Sequence, residues 1–462
     1  LHTFAVIPMI GHSRTRSIFL IVLLSLADAL LAQTLSGRLV GPGLARVSEV
    51  QLLMSRGGDH RWFASAPVDD QGYFRFAQQG FPTGFYQLAV NDSDRVDLIL
   101  DPRESKVELE LWGTPVQEHI RVIASAENRR LWAYKEASRE AQMALREIND
   151  KRIVASPMDV ALLRSLDSSS VAVNDAKQRA LEQLIKEDPD GYFRHVVKAD
   201  MRLMSALNSR KGPQAIRDSV DWTDASLARS NIYPKGIMAI LQSATPATVD
   251  QLMAASDSVL AWSAPDAFCW ELSRHVLVEL FIQYGPSDAV QYLVDRYVIG
   301  PGSLVPPDAE LMGLVAEQLK VAVGARAPDV LLPTPGVPDV VHLGDVVARH
   351  KYTVLFFYSS TCDHCHEQMP GLSKIYTDMR RKGVAVVGVA LDHDAKEFEA
   401  NIKERALPFP CYSELLGWGS PAAKAFAIKA TPSLVLVDGA GMIKAKPYDH
   451  EELRALLEGL LR

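Results

Sequence analysis

The sequence predicts a multi-domain chain: an N-terminal antiparallel β-sandwich over 33–124, a central all-α region over 125–323 and a C-terminal α/β domain over 324–462. Three observations carry that division. Apolar and polar residues alternate in short runs between Leu35 and Trp112, as strands with one buried face require. From Ser125 onward the apolar spacing becomes helical. Near the C-terminus the run Phe356-Phe357-Tyr358 leads through Ser359-Ser360-Thr361 into Cys362-Asp363-His364-Cys365.

The first 32 residues read as a secretory leader rather than as part of a domain. Arg14 and Arg16 precede an apolar run from Ile18 to Leu26, and small residues follow at Ala27, Ala29 and Ala32. A positive segment, a short apolar core and small residues before Gln33 predict a signal peptide over 1–32, cleaved near Ala32. The apolar run is short for a membrane span, so an uncleaved anchor is the lesser alternative. No Cys follows the run, which argues against a lipoprotein anchor. Met9 is a candidate start, and the mature protein is expected in a periplasm or an equivalent exported space.

Within 33–124 the expected strands are 47–53, 73–76, 85–90, 96–100 and 107–111. Turn signals separate them: Gly41-Pro42-Gly43, Gly57-Gly58-Asp59, Asp70-Gln71-Gly72, Asn91-Asp92-Ser93-Asp94 and Asp101-Pro102. The acidic pairs Asp69/Asp70 and Asp92/Asp94 read as solvated hairpin turns ahead of calcium ligands.

Ser125 is a predicted N-cap for a helix reaching Ile148. Further helices are expected over 176–186, 192–207, 249–262, 268–284, 289–297 and 309–321, with Gly and Pro between them. No fixed-period repeat is present, so a bundle is favoured over a solenoid. Trp132, Tyr134, Trp222, Trp262 and Trp270 are expected to pack between helices. The proline-rich stretch 328–338 reads as a hinge into the last domain.

That last domain carries the chemistry. Two residues between the thiols place both on the first turn of a helix, close enough for a small disulfide. There the free N–H groups and the helix dipole favour a thiolate. Zinc also uses this spacing but needs two more ligands, and Cys269 and Cys411 are lone. Cys269 reads as a buried structural thiol, and Cys411 as an inert strand residue ahead of a third redox thiol.

Downstream, Val384-Ala385-Val386-Val387-Gly388-Val389-Ala390 reads as a buried parallel strand, and Ala430-Thr431-Pro432 opens another that ends in Asp438-Gly439. With Ala327-Pro328-Asp329, Pro370 and a terminal helix, these motifs resemble the exported TlpA/ResA-like branch of the thioredoxin superfamily. The resemblance runs from about Gly324 to Arg462. More faintly, 33–124 resembles the β-rich domain that precedes many such domains in Bacteroidetes proteins.

The resemblance implies a thiol–disulfide oxidoreductase with no cofactor and no metal. Cys362 is then the nucleophile and Cys365 the resolving thiol. Pro432 is expected to be cis, exposing the main chain of Thr431 to an extended substrate. His364, if protonated, favours the Cys362 thiolate, whereas Asp363 opposes it. The family's Trp before the first Cys is Thr361 here, and its Glu three residues after the second is Gln368. Phe356 stands where thioredoxins bury an acid. Proton transfer would then fall to water, His364 or Glu367.

A net charge of -7 and a pI near 6.0 give no support for nucleic-acid binding. Expected partners are protein thiols and disulfides, a membrane electron donor for a reductant, and a second copy through the extra domains. Reduction is slightly preferred over oxidation on the resemblance. The competing readings are a binding or scaffold protein on a thioredoxin-like fold, and a thiol peroxidase. The peroxidase pattern Pro-x-x-x-Thr-x-x-Cys is absent.

Overall fold

The structure, a computed structural model, describes residues 33–77, 80–91, 94–156, 158–209, 212–243 and 248–462. The expected leader, and Asp92 and Ser93 of one expected turn, lie outside the described residues. The chain divides into two compact units, one ending at Ala239 and one spanning Ile240–Arg462.

In the first unit, two four-stranded sheets form from β1 (Thr34–Leu39), β2 (Glu49–Arg56), β3 (Asp59–Pro67), β4 (Tyr73–Arg75), β5 (Gly84–Ala89), β6 (Arg95–Leu100), β7 (Lys106–Leu111) and β8 (Ile120–Ala124). Their orders are β4-β1-β7-β8 and β3-β2-β5-β6. Alternate side chains such as Leu35, Val50, Leu52, Tyr86, Leu98 and Leu109 meet in one core. One pairing departs from the antiparallel expectation, because β1 runs parallel to β7. The acidic turn holds as a turn: Asp69 Oδ1 accepts from the N–H of Gln71 (2.9 Å) and Tyr73 (2.8 Å).

Helix α1 (Ala126–Val154) is stitched to the edge of the second sheet by one buried side chain. Asn128 accepts from Ile99 N–H at 2.8 Å and donates to Ile99 C=O at 2.7 Å, completing a strand edge as another strand would. Ser125 caps α1 as expected, accepting from Asn128 N–H. Then follow α2 (Val160–Lys186), α3 (Tyr192–Ser209), α4 (Pro213–Ser219), α5 (Ala225–Ala228) and α6 (Ile232–Gln242). Trp222 and Trp270 are buried. The division between units falls inside the stretch 125–323, because its first helices are tied to the sheets and its last ones to the C-terminal domain.

The second unit opens with α7 (Val249–Ser263), α8 (Ala267–Tyr284), α9 (Ser287–Leu293) with a π-turn at Val294–Val298, and α10 (Ala309–Leu319). A short hairpin, β9 (Leu331–Leu332) and β10 (Val341–His342), precedes α11 (Leu343–Ala348). Next come β11 (Tyr352–Tyr358), α12 (Asp363–Met379), β12 (Val384–Ala390), α13 (Ala395–Glu404), β13 (Cys411–Ser413), α14 (Pro421–Ala425), β14 (Ser433–Asp438), β15 (Ile443–Ala445) and α15 (His450–Leu460). They build a five-stranded sheet of order β13-β12-β11-β14-β15, with β11, β12 and β13 parallel and β14 pairing antiparallel with both β11 and β15. Both faces of the sheet are covered, so β11 and β12 are buried almost end to end.

The stretch 328–338 is not a free hinge. Just before it, Gly324 N–H donates to Ile443 C=O and Ala327 N–H to Gly441 C=O, each at 2.8 Å. Within it, Leu332 is buried in the domain core. The prolines mark an irregular but anchored segment.

Candidate active site

Strand β11 delivers its chain to the centre of the sheet's C-terminal edge, where β11 and β12 end side by side. Helix α12 begins there, and Cys362 is its N-cap residue, accepting from Cys365 N–H at 3.2 Å. Cys362 and Cys365 are joined by a disulfide with a Cα–Cα separation of 5.2 Å. Their surroundings differ. Cys362 is half-buried, whereas Cys365 is fully enclosed among Met369, Leu372 and Phe356.

Across from the pair, the Thr431–Pro432 peptide is cis, and the Thr431 carbonyl oxygen lies 3.7 Å from Cys362 Sγ. The topology accounts for the meeting: β14 pairs directly with β11, so the loop entering β14 lies beside the loop leaving β11.

The candidate tuning residues separate into two kinds. His364 and Glu367 are side by side on the outer face of α12, 3.3 Å apart, with side chains 82% and 71% exposed. Gln368 turns instead toward α15, accepting from His450 N–H (2.9 Å) and Nδ1 (2.8 Å). Gly371 makes that approach fit, since a Cβ there would overlap the His450 ring.

Asp392, which the sequence reading passed over, and His366, which it weighed only as a metal ligand, hold the segment before Cys362. Buried Asp392, just beyond β12, accepts from Ser360 N–H (2.8 Å), Ser360 Oγ (2.6 Å) and Ser359 Oγ (3.3 Å). His366 Nε2 lies 2.9 Å from Ser360 C=O, and its Nδ1 lies 3.1 Å from the Arg405 guanidinium. An Nε2–H that donates to Ser360 and an Nδ1 that accepts from Arg405 satisfies both contacts. The signal for Asp392 was an acid directly after a β-branched run, but only the parallel pairing of β11 and β12 gives it meaning.

Phe356 is buried and stacks on Tyr358, with ring centroids 5.0 Å apart. Cys411 is buried on β13, and burial pushes its thiol up to about 12, so it stays protonated. Cys269 is buried in α8. Among the described residues no helix is long and apolar enough to cross a membrane.

Residues 323–446 match the AhpC/TSA family. The thiol-disulfide oxidoreductase ResA of Bacillus cereus is 26% identical over 152 residues, covering 32% of this chain and 83% of that protein. ResA of Oceanobacillus iheyensis is 33% identical over 91 residues, covering 19% and 46%. Among solved structures, the thioredoxin domain of a thiol-disulfide oxidoreductase from Bacteroides vulgatus matches at 24% identity, 30% and 99% coverage and a TM-score of 0.28. A thiol-disulfide oxidoreductase from Bacteroides fragilis matches at 28%, 29% and 98%, with a TM-score of 0.28.

Proposed function

We propose that this protein, whose C-terminal domain is a TlpA/ResA-like thioredoxin-fold domain, is an exported thiol–disulfide oxidoreductase that reduces protein disulfides through Cys362 and Cys365. The observation that carries the reading is the asymmetric pair: a half-buried Cys362 capping α12 and facing Thr431, with Cys365 enclosed behind it.

In the reducing direction the Cys362 thiolate attacks one sulfur of a substrate disulfide and expels the other as a thiolate, leaving a mixed disulfide. The Cys365 thiol loses its proton and attacks Cys362 Sγ. That step releases the second substrate thiol and forms the Cys362–Cys365 disulfide. Two electrons and two protons pass to the substrate, and a dithiol donor, fed from the membrane, must restore the pair. Thr431 and Pro432 would present the main chain to the substrate. His364 and Glu367 are exposed enough to relay protons with water, and Gln368 helps to fix α12 against α15.

The ResA relatives and the leader-like residues 1–32 support export, with cleavage near Ala32. We read 33–124 as a β-sandwich domain, 125–323 as a helical region and 324–462 as the redox domain. The first two would serve substrate selection or homodimerisation. A thiol peroxidase is the second reading, favoured by the AhpC/TSA match. Against it stand the missing Thr of the peroxidase pattern and the presence of a resolving Cys three residues away.

The test is equilibration of the purified protein with dithiothreitol and glutathione buffers. A two-electron transition of the Cys362–Cys365 pair near roughly -270 mV marks a reductant, and one near roughly -120 mV marks an oxidant. A pair that does not cycle sinks the exchange reading. Rapid peroxide consumption with a dithiol donor favours the second.

A further inference from the structure

A groove of about 760 Å³ runs beside the candidate active site, wholly within the second unit. One wall comes from outside the redox domain: Phe281 of α8, Val290 of α9 and Leu319 of α10. The other comes from Thr431 and Pro432, with Lys446 after β15. His364 and Glu367 line the same groove, so it is continuous with the face that presents Cys362. Large apolar side chains stay exposed along it, at Tyr284 (59%), Leu319 (42%), Val323 (51%) and Tyr448 (68%). Its volume lies within the range of pockets that enclose ligands, roughly 300–1,000 Å³.

The charges in the groove are unequally satisfied. Lys429 pairs with Glu317 at 3.2 Å, and His364 faces Glu367 at 3.3 Å. Asp449 Oδ1 accepts from the first N–H groups of α15. Among the described residues, Lys446 is the basic side chain of the lining with neither a hydrogen-bond nor an ion-pair partner. It is also half-buried in the wall of the groove. A desolvated ammonium without an anion is costly and gains most from a carboxylate brought into the same low-dielectric place.

We propose that this groove seats the extended segment flanking the cysteine of a protein substrate, and that Lys446 selects a segment carrying an acidic side chain. The inference rests on the exchange reading for the identity of the ligand, and it makes the helical segment α8–α10 part of substrate recognition. Apolar side chains of the segment would lie against Leu319 and Val290 while its carboxylate meets Lys446. Burial lowers the Lys446 amine to about 8, so the ammonium still prevails at neutral pH.

Fluorescent nonapeptides with Ser in place of the cysteine provide the test, since they bind without any thiol chemistry. An acidic residue is walked along the positions flanking the Ser, and each peptide is compared with its Gln twin by anisotropy on the whole protein. At one or two positions the acidic peptide should bind on the order of tenfold more tightly, as a hydrogen bond to a charged group provides. That preference should vanish in Lys446→Met and survive in Lys446→Arg, and Leu319→Asp should weaken both twins. No acidic preference at any position, a preference that outlives Lys446→Met, or indifference to Leu319→Asp overturns the proposal. Failure of the exchange reading shows separately, as a cysteine pair that does not cycle.

Discussion

Cys362 Sγ stands 3.7 Å from the main-chain oxygen of Thr431, a residue 69 positions further along the chain. On the exchange proposed above, the contact sets the attacking sulfur beside a main-chain group able to pair with an incoming strand. Cys365, one helical turn on, has no surface of its own. A substrate sulfur can therefore reach Cys362 but not Cys365. In Cys365→Ser, a disulfide-bearing protein or peptide should accumulate as a stable adduct on Cys362, seen as a mass shift on a non-reducing gel. Cys362→Ser should give no adduct. An adduct on Cys365 in that variant would reverse the assignment.

Asp392 offers a stability test of the segment before the pair. Its carboxylate is buried and takes three hydrogen bonds from Ser359 and Ser360. Asp392→Ala strands the Ser360 N–H, and hydrogen bonds to charged groups are worth about 1.5–3 kcal/mol. A loss of that size is expected in urea unfolding monitored within the C-terminal domain. Asp392→Asn keeps an acceptor for the N–H and should lose less.

Cys362 should alkylate ahead of the other three cysteines, all of them buried. After reduction, iodoacetamide at pH 8 is expected to label Cys362 within minutes. Cys411, pushed up to about 12 by burial, holds only about one thiolate in ten thousand at that pH. Cys269 is enclosed in α8. Peptide mass mapping reads the order, and early labelling of Cys411 would show that β13 opens.

The redox motif was legible because its chemistry is local: two thiols three positions apart in a helix start, and a proline at a strand start. The groups that hold it were not. Asp392 reaches the Cys362 loop only through the pairing of β12 with β11, and Arg405 reaches His366 only through the packing of α13, so neither role can be read from local sequence. Among the strands of the first unit, β1, β3 and β8 escaped the reading. Helix α2 was read as 176–186 although it begins at Val160, because Ser168-Ser169-Ser170 weaken the apolar pattern. Those hydroxyls donate to the carbonyls of Arg164 (3.0 Å), Ser165 (2.9 Å) and Leu166 (3.0 Å), four residues back, so the helix absorbs them. The prolines of 328–338 signalled a linker by composition, yet Leu332 anchors the segment.

Asp224 should make the first unit sensitive to acid. It caps α5, with Oδ1 taking the N–H groups of Ser226 (2.8 Å) and Leu227 (3.3 Å), while His195 Nε2 lies 2.6 Å from Oδ2. Burial alone would push the carboxyl up, but bonds from His195, Ser226 and Leu227 outweigh it and hold it at about 2. A depressed value stabilises the fold above the unfolded pKa of about 3.9, and the gain is lost as pH falls toward about 2. Asp224→Asn should therefore cost about 2 kcal/mol at pH 7 and progressively less below pH 4. Denaturant titrations of both proteins at pH 7 and pH 3 measure that narrowing.

Gln318 tests whether α10, which precedes the matched family region, helps the redox site. Its side-chain amide donates to Ala427 C=O at 3.1 Å, and its neighbour Glu317 pairs with Lys429. Ala427 has a φ of 50°, a left-handed conformation that costs a non-glycine residue roughly 1–2 kcal/mol. A helix from outside the domain thus fixes a strained residue four positions before Thr431. Gln318→Ala should lower stability by about 1 kcal/mol, the usual worth of one hydrogen bond. It should also slow exchange with a peptide disulfide several-fold, because the loop proposed to receive the substrate loses definition. The reduction potential should stay where it is, since neither sulfur nor the start of α12 is touched. A potential that moved along with the rate would mean that Gln318 acts on the cysteine pair itself, whereas a lower rate at an unchanged potential assigns α10 to holding the substrate loop.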